Sequence, residues 1–80
     1  MIIFFRYSID SRNPNARLVI YDVAGRRIQR FRLGSQGSGE HLFTWDRRDS
    51  RGGAVARGLY MARLTVGGND ETRKFLLLKR

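Results

Sequence analysis

Nowhere in this chain do apolar residues recur at spacings of three and four; they alternate in short runs separated by clusters of Gly, Asp, Asn and Ser. That pattern marks half-buried strands and argues against an amphipathic helix. Ile3, Phe5, Tyr7 and Ile9 alternate with Phe4, Arg6 and Ser8 as a first strand, and Asp10 to Asn15, containing Pro14, reads as the loop that closes it. Arg17 to Asp22 forms a second strand, with Leu18 and Ile20 on one face and Val19 and Tyr21 on the other. A third runs from Arg27 to Leu33. There Ile28, Phe31 and Leu33 cannot share a face without a slip near Gln29-Arg30, which predicts a bulge or an edge strand guarded by Arg30 and Arg32. Gly34 to Gly39 reads as a loop. His41, Phe43 and Trp45 phase a fourth strand, and Tyr60, Ala62, Leu64 and Val66 phase a later one. Gly67-Gly68-Asn69-Asp70 is a hairpin turn into a last strand, Glu71 to Lys79, whose Leu76, Leu77 and Leu78 close the core. With a very short strand at Val55, about seven strands result, which predicts a single all-β domain over residues 1–80, a two-sheet antiparallel Greek-key sandwich.

Two turns carry the strongest local signals. In Asp22-Val23-Ala24-Gly25-Arg26 the aspartate caps a tight hairpin and Gly25 takes positive φ. Gly25→Val should cost about 1 kcal/mol or more through forced left-handed geometry; an unchanged thermal unfolding curve would reject this turn. The run from Trp45 to Tyr60 places Asp46, Asp49, Gly52 and Gly58 between a strand end and a strand start. Its carboxylates invite comparison with a calcium loop. Their spacing does not match alternating oxygen ligands, and Arg47, Arg48 and Arg51 crowd the segment with positive charge. They are expected to accept backbone N–H groups in a turn, and no metal or other cofactor is expected.

Catalysis finds little support in the residues. The single histidine, His41, is in phase with Phe43 and Trp45, there is no cysteine, and no nucleophile elbow or phosphate-cradling motif occurs. An 80-residue domain hides only about 60–65% of its unfolded surface, too little for a deep cleft. The expectation is a non-enzyme. Net charge is +9, with fourteen of the sixteen Lys and Arg residues being arginine. Such a chain is attracted to polyanions, lipopolysaccharide among them, although the arginines are spread over nearly every segment. Nucleic acid is disfavoured, because Tyr7 and Phe31 fall in phase with the core and no ribonucleoprotein motif is present. The apolar start Met1 to Phe5 is too short for a signal peptide or membrane span. If the protein works outside the cytoplasm, this chain is expected to be a module of a longer exported protein.

Ile20-Tyr21-Asp22-Val23-Ala24-Gly25-Arg26, then Trp45-Asp46, Asp49, Gly52, Val55 and Gly58-Leu59-Tyr60, then Arg73 to Lys79, together resemble a known family. It is the FlgD-type immunoglobulin-like domain of flagellar hook-capping proteins, shared with the C-terminal sorting domain of type IX secretion. The resemblance implies an Ig-like, fibronectin III-like sandwich without catalytic activity. It further implies an exported protein of the periplasm, outer surface or medium, whose partners are secretion machinery or neighbouring domains of its parent. Asp22, Gly25, Trp45, Asp46, Asp49, Gly52, Gly58 and Tyr60 would be its structural motif. In the sorting-domain reading, taken as the leading one, Lys74, Phe75, Leu76, Leu78 and Lys79 match the basic-apolar final strand that carries the signal. Hook-cap assembly and polyanion binding are the alternatives.

Overall fold

A computed structural model describes residues 3–9, 13–36 and 39–78. Six strands follow in order: β1 (Ile3–Ile9), β2 (Asn13–Asp22), β3 (Arg27–Gln36), β4 (Gly39–Trp45), β5 (Gly58–Val66) and β6 (Asn69–Leu77). β1 pairs with β4 as one antiparallel sheet, and the other four form a second in the order β3-β2-β5-β6. The expected all-β sandwich is present with six strands. The seventh, around Val55, is only an isolated Arg48–Ala54 bridge with the Val55 N–H on the Arg47 carbonyl. It goes no further because the tight turn between Asp49 and Gly53 uses the adjoining backbone groups.

The two sheets are joined by aromatic contacts. Phe5 of β1 meets Phe75 of β6 edge-on at 5.4 Å, and Phe43 of β4 meets Phe31 of β3 at 4.7 Å. The small sheet therefore lies with β1 towards β6 and β4 towards β3. Leu18, Ile20 and Ala62, from the two central strands, fill the space between and are buried. Each large aliphatic side chain buried there contributes about 1.5–3 kcal/mol of transfer free energy. Ten residues each in β2 and β3, at about 3.3 Å per residue, set the length of the domain; its longest extent is 36 Å.

Several boundaries differ from the sequence expectation. Pro14 lies within β2 and not in a loop. The β2–β3 register skips between Asn13 and Ala16, and pairing with β5 begins only at Arg17, so a residue without an N–H is tolerated there. The slip expected at Gln29-Arg30 occurs one position earlier: Ile20 pairs with Gln29 and Tyr21 with Arg27, leaving Ile28 as the extra residue. β3 is an edge strand, as expected, and its Ile28 carbonyl accepts the Ser50 N–H, so the 46–53 loop covers part of that edge. Gly34 to Gln36 continue β3, and Gly39 opens β4. The last hairpin turns on Gly67-Gly68 alone, with Val66 pairing directly with Asn69.

β6 corrects the reading of the leucine triplet. Only Leu77 is buried; Leu76 and Leu78 are 61% and 64% exposed. Strand alternation cannot turn three consecutive side chains inward.

Candidate functional site

Asp22 and Asp49 build the same turn twice. Asp22 Oδ1 accepts the N–H groups of Ala24 and Arg26, at 3.0 and 2.8 Å, and Asp49 Oδ1 accepts those of Arg51 and Gly53, at 3.0 and 2.9 Å. Gly25 and Gly52 each donate to the carbonyl of their aspartate three residues back, both at 3.0 Å. Both glycines sit at positive φ, 88° and 87°, where a Cβ would be strained. Arg26 adds a guanidinium contact to Asp22 Oδ2 at 2.9 Å. The Arg26 backbone N–H, then its guanidinium and the Ala24 N–H, hold the Asp22 carboxyl below its ordinary range against partial desolvation.

The residues between these turns converge on one end of the sandwich. Trp45 ends β4 with 1% exposure and donates its indole N–H to the Arg48 carbonyl at 2.9 Å. Its ring meets Phe75 at right angles, 6.2 Å between centroids. Asp46 accepts the Arg48 N–H at 3.2 Å. Gly58 opens β5 opposite Leu77, and Tyr60 pairs with Asp22 on one side and Phe75 on the other. The Tyr60 hydroxyl donates to the Ala56 carbonyl at 2.6 Å, a bond four residues back of the tyrosine-corner kind found in Ig-type sandwiches. Burial foremost, and then the Asp22 charge, push the Tyr60 hydroxyl pKa up, with Arg47 opposing them. Tyr60→Phe should lower stability by about 0.5–1.5 kcal/mol, because the part-buried bond from the Tyr60 hydroxyl to the Ala56 carbonyl is lost. Urea unfolding checks this, and a loss under a few tenths of a kcal/mol would show that the bond is replaced by water.

The eight residues of the expected structural motif lie in this one region, tied into it by side-chain or backbone hydrogen bonds or by strand pairing. The oxygens of Asp46 and Asp49 face N–H groups of their own loop, and no group of three or more potential metal ligands occurs among the described residues. Arg47 is a member of this region that the sequence reading missed. It is buried at 7% exposure, adopts φ 63°, and donates through Nη2 to the Leu78 carbonyl at 3.1 Å, tying the loop to the end of the last strand. A charged residue between Asp46 and Arg48 carries no sequence signal for burial; only the left-handed backbone turns its side chain inward.

The final-strand candidates do not share one face. Lys74, Leu76 and Leu78 are exposed, whereas Phe75 points inward onto Phe5 and Tyr60. Lys79 lies outside the described residues. His41 is half-buried and stacks on its cross-strand partner Tyr7, ring centroids 5.3 Å apart. No helix among the described residues is long and apolar enough to cross a membrane.

Comparison with solved structures finds this architecture in FlgD from P. aeruginosa, with a TM-score of 0.74 and 25% identity over 96% of this chain and 60% of that one. FlgD from Xanthomonas campestris, whose structure is described as giving insights into the hook capping essential for flagellar assembly, aligns with a TM-score of 0.66 and 23% identity. That alignment covers 95% of this chain and 54% of the other. The chain therefore spans between half and two thirds of the length of these relatives. No curated protein sequence matches. The sequence profile described as the FlgD Ig-like domain matches residues 2–70, the stretch that holds both aspartate turns, the Trp45 loop and Tyr60, and this chain belongs to that family.

Proposed function

We propose that this chain is the Ig-like module of a hook-capping-type protein, a non-catalytic domain that serves assembly of a flagellar structure outside the cytoplasm. The family match over residues 2–70 carries this reading. The site geometry agrees with it: Asp22, Asp49, Trp45 and Tyr60 all spend their polar atoms on holding one end of the sandwich rigid. Loops tied down by side-chain hydrogen bonds suit a module that must keep its shape within an assembly. The test is an in-frame deletion of this segment from its parent gene in the native host. Hooks absent or malformed by electron microscopy, with the shortened protein still exported, are expected. Normal hooks and motility would reject the reading.

A second reading, a sorting domain recognised through its last strand, draws support from Lys74 and Leu76, exposed on the edge strand β6, and from Leu78, exposed just beyond its end. An edge strand can be recognised by strand addition. Leu76→Asp with Leu78→Asp in a cargo fusion tests it without disturbing Phe75 or Leu77; secretion at the parental level would reject it.

A further inference from the structure

The basic residues look scattered along the chain, yet strand register gathers six of them on one surface. Arg17, Arg27, Arg30, Arg32, Arg63 and Lys74 all occupy outward positions of the four-stranded sheet and are exposed. Arg30 and Arg63 flank Val19 in one row; Arg32 and Arg17 stand side by side in the next; Arg27, Tyr21, Met61 and Lys74 form a third. Asp70 is the one carboxylate in these rows, and it accepts a hydrogen bond from Thr65 at 2.8 Å. Arg17, Arg27, Arg30, Arg32 and Lys74 have no ion-pair partner among the described residues. Arg63 lies over the Tyr21 ring, 5.4 Å from its centroid.

Between the cations runs an apolar strip. Val19, Tyr21 and Met61 are half-buried at its centre, and Leu59 and Leu76, a cross-strand pair 41% and 61% exposed, continue it. An apolar middle with Tyr and Met, bordered by Arg, is the composition of a protein-docking surface. Unpaired like charges on neighbouring strands repel, and an acidic partner removes that cost.

We propose that the outer face of the four-stranded sheet docks an acidic protein surface, with partner carboxylates on the arginine rows and an apolar patch on the Val19–Met61 strip. A second copy of this chain is the wrong occupant, since each carries a net charge of +9. Single-stranded nucleic acid finds only one ring, Tyr21, on this face, and Arg63 already covers it. A uniformly anionic glycan leaves the apolar strip unmatched. The inference is independent of the hook-capping reading, and a binding assay with purified chain leaves the hook assay unaffected.

The test is a titration of the isotopically labelled 80-residue chain, followed by NMR, with four probes at low salt. These are a short peptide alternating Glu and Leu, an all-Glu peptide of equal length, heparin, and a single-stranded oligonucleotide. The alternating peptide should bind most tightly, shift the amides around Val19, Tyr21, Met61 and Arg63, and weaken roughly tenfold in the Arg30→Glu, Arg63→Glu double variant. Met61→Ala should weaken it without altering the fold-dependent spectrum. Equal affinity for the all-Glu peptide, tighter binding of heparin or oligonucleotide, shifts confined to β1 and β4, or no binding by any probe would each overturn the proposal.

Discussion

Trp45→Ala should destabilise the domain by about 3–5 kcal/mol, the range for truncating a buried aromatic. The indole is 1% exposed, packs edge-on against Phe75 and donates to the Arg48 carbonyl at 2.9 Å, so one substitution opens a cavity and removes a part-buried hydrogen bond. The loss is large against the total, because a domain of this size is stable by only about 4–12 kcal/mol. Trp45→Phe separates the two effects. It retains most of the packing, and the Arg48 carbonyl keeps the longer contact from Gln29 Nε2 at 3.4 Å, so about 1–2 kcal/mol should be lost. Urea unfolding followed by far-UV circular dichroism measures both variants. A loss below about 1 kcal/mol for Trp45→Ala would mean that the site collapses around the missing ring.

In the last strand, neighbouring leucines should behave oppositely. Leu77→Ala should cost about 2–5 kcal/mol, and Leu76→Ala less than about 0.5. Leu77 is 1% exposed within the core, whereas Leu76 is 61% exposed on the outer face. The contrast tests strand phase directly, since a one-residue slip of β6 against β5 would exchange the two roles. Comparable losses at both positions would contradict the Gly58–Leu77 pairing.

The parts legible in the sequence are those governed by local chemistry. The Asp22–Arg26 turn is readable because a short carboxylate and a glycine at fixed offsets satisfy its N–H groups without help from elsewhere. The phase of Leu18, Ile20, Phe43, Trp45, Tyr60 and Ala62 is readable because each lies in a strand with one wet and one dry face. Leu76 to Leu78 resisted for the converse reason: three apolar residues in succession fit either phase, and pairing with β5 alone resolves them. Pro14 misled because its missing N–H excludes only positions where a ladder partner is waiting, and the register skip from Asn13 to Ala16 removes that demand.

By itself the sequence determined the all-β class, the two aspartate turns, and the motif that places this chain among FlgD-type Ig-like domains. These follow from spacing and turn chemistry, which act over a few residues. Only the tertiary structure decided the strand order of the two sheets, that Arg47 is buried against the Leu78 carbonyl, and that six dispersed basic residues stand on one face. Each of these depends on contacts between residues far apart in the chain. A strand's alternation tells which residues share a face, but pairing with its neighbours decides what that face becomes.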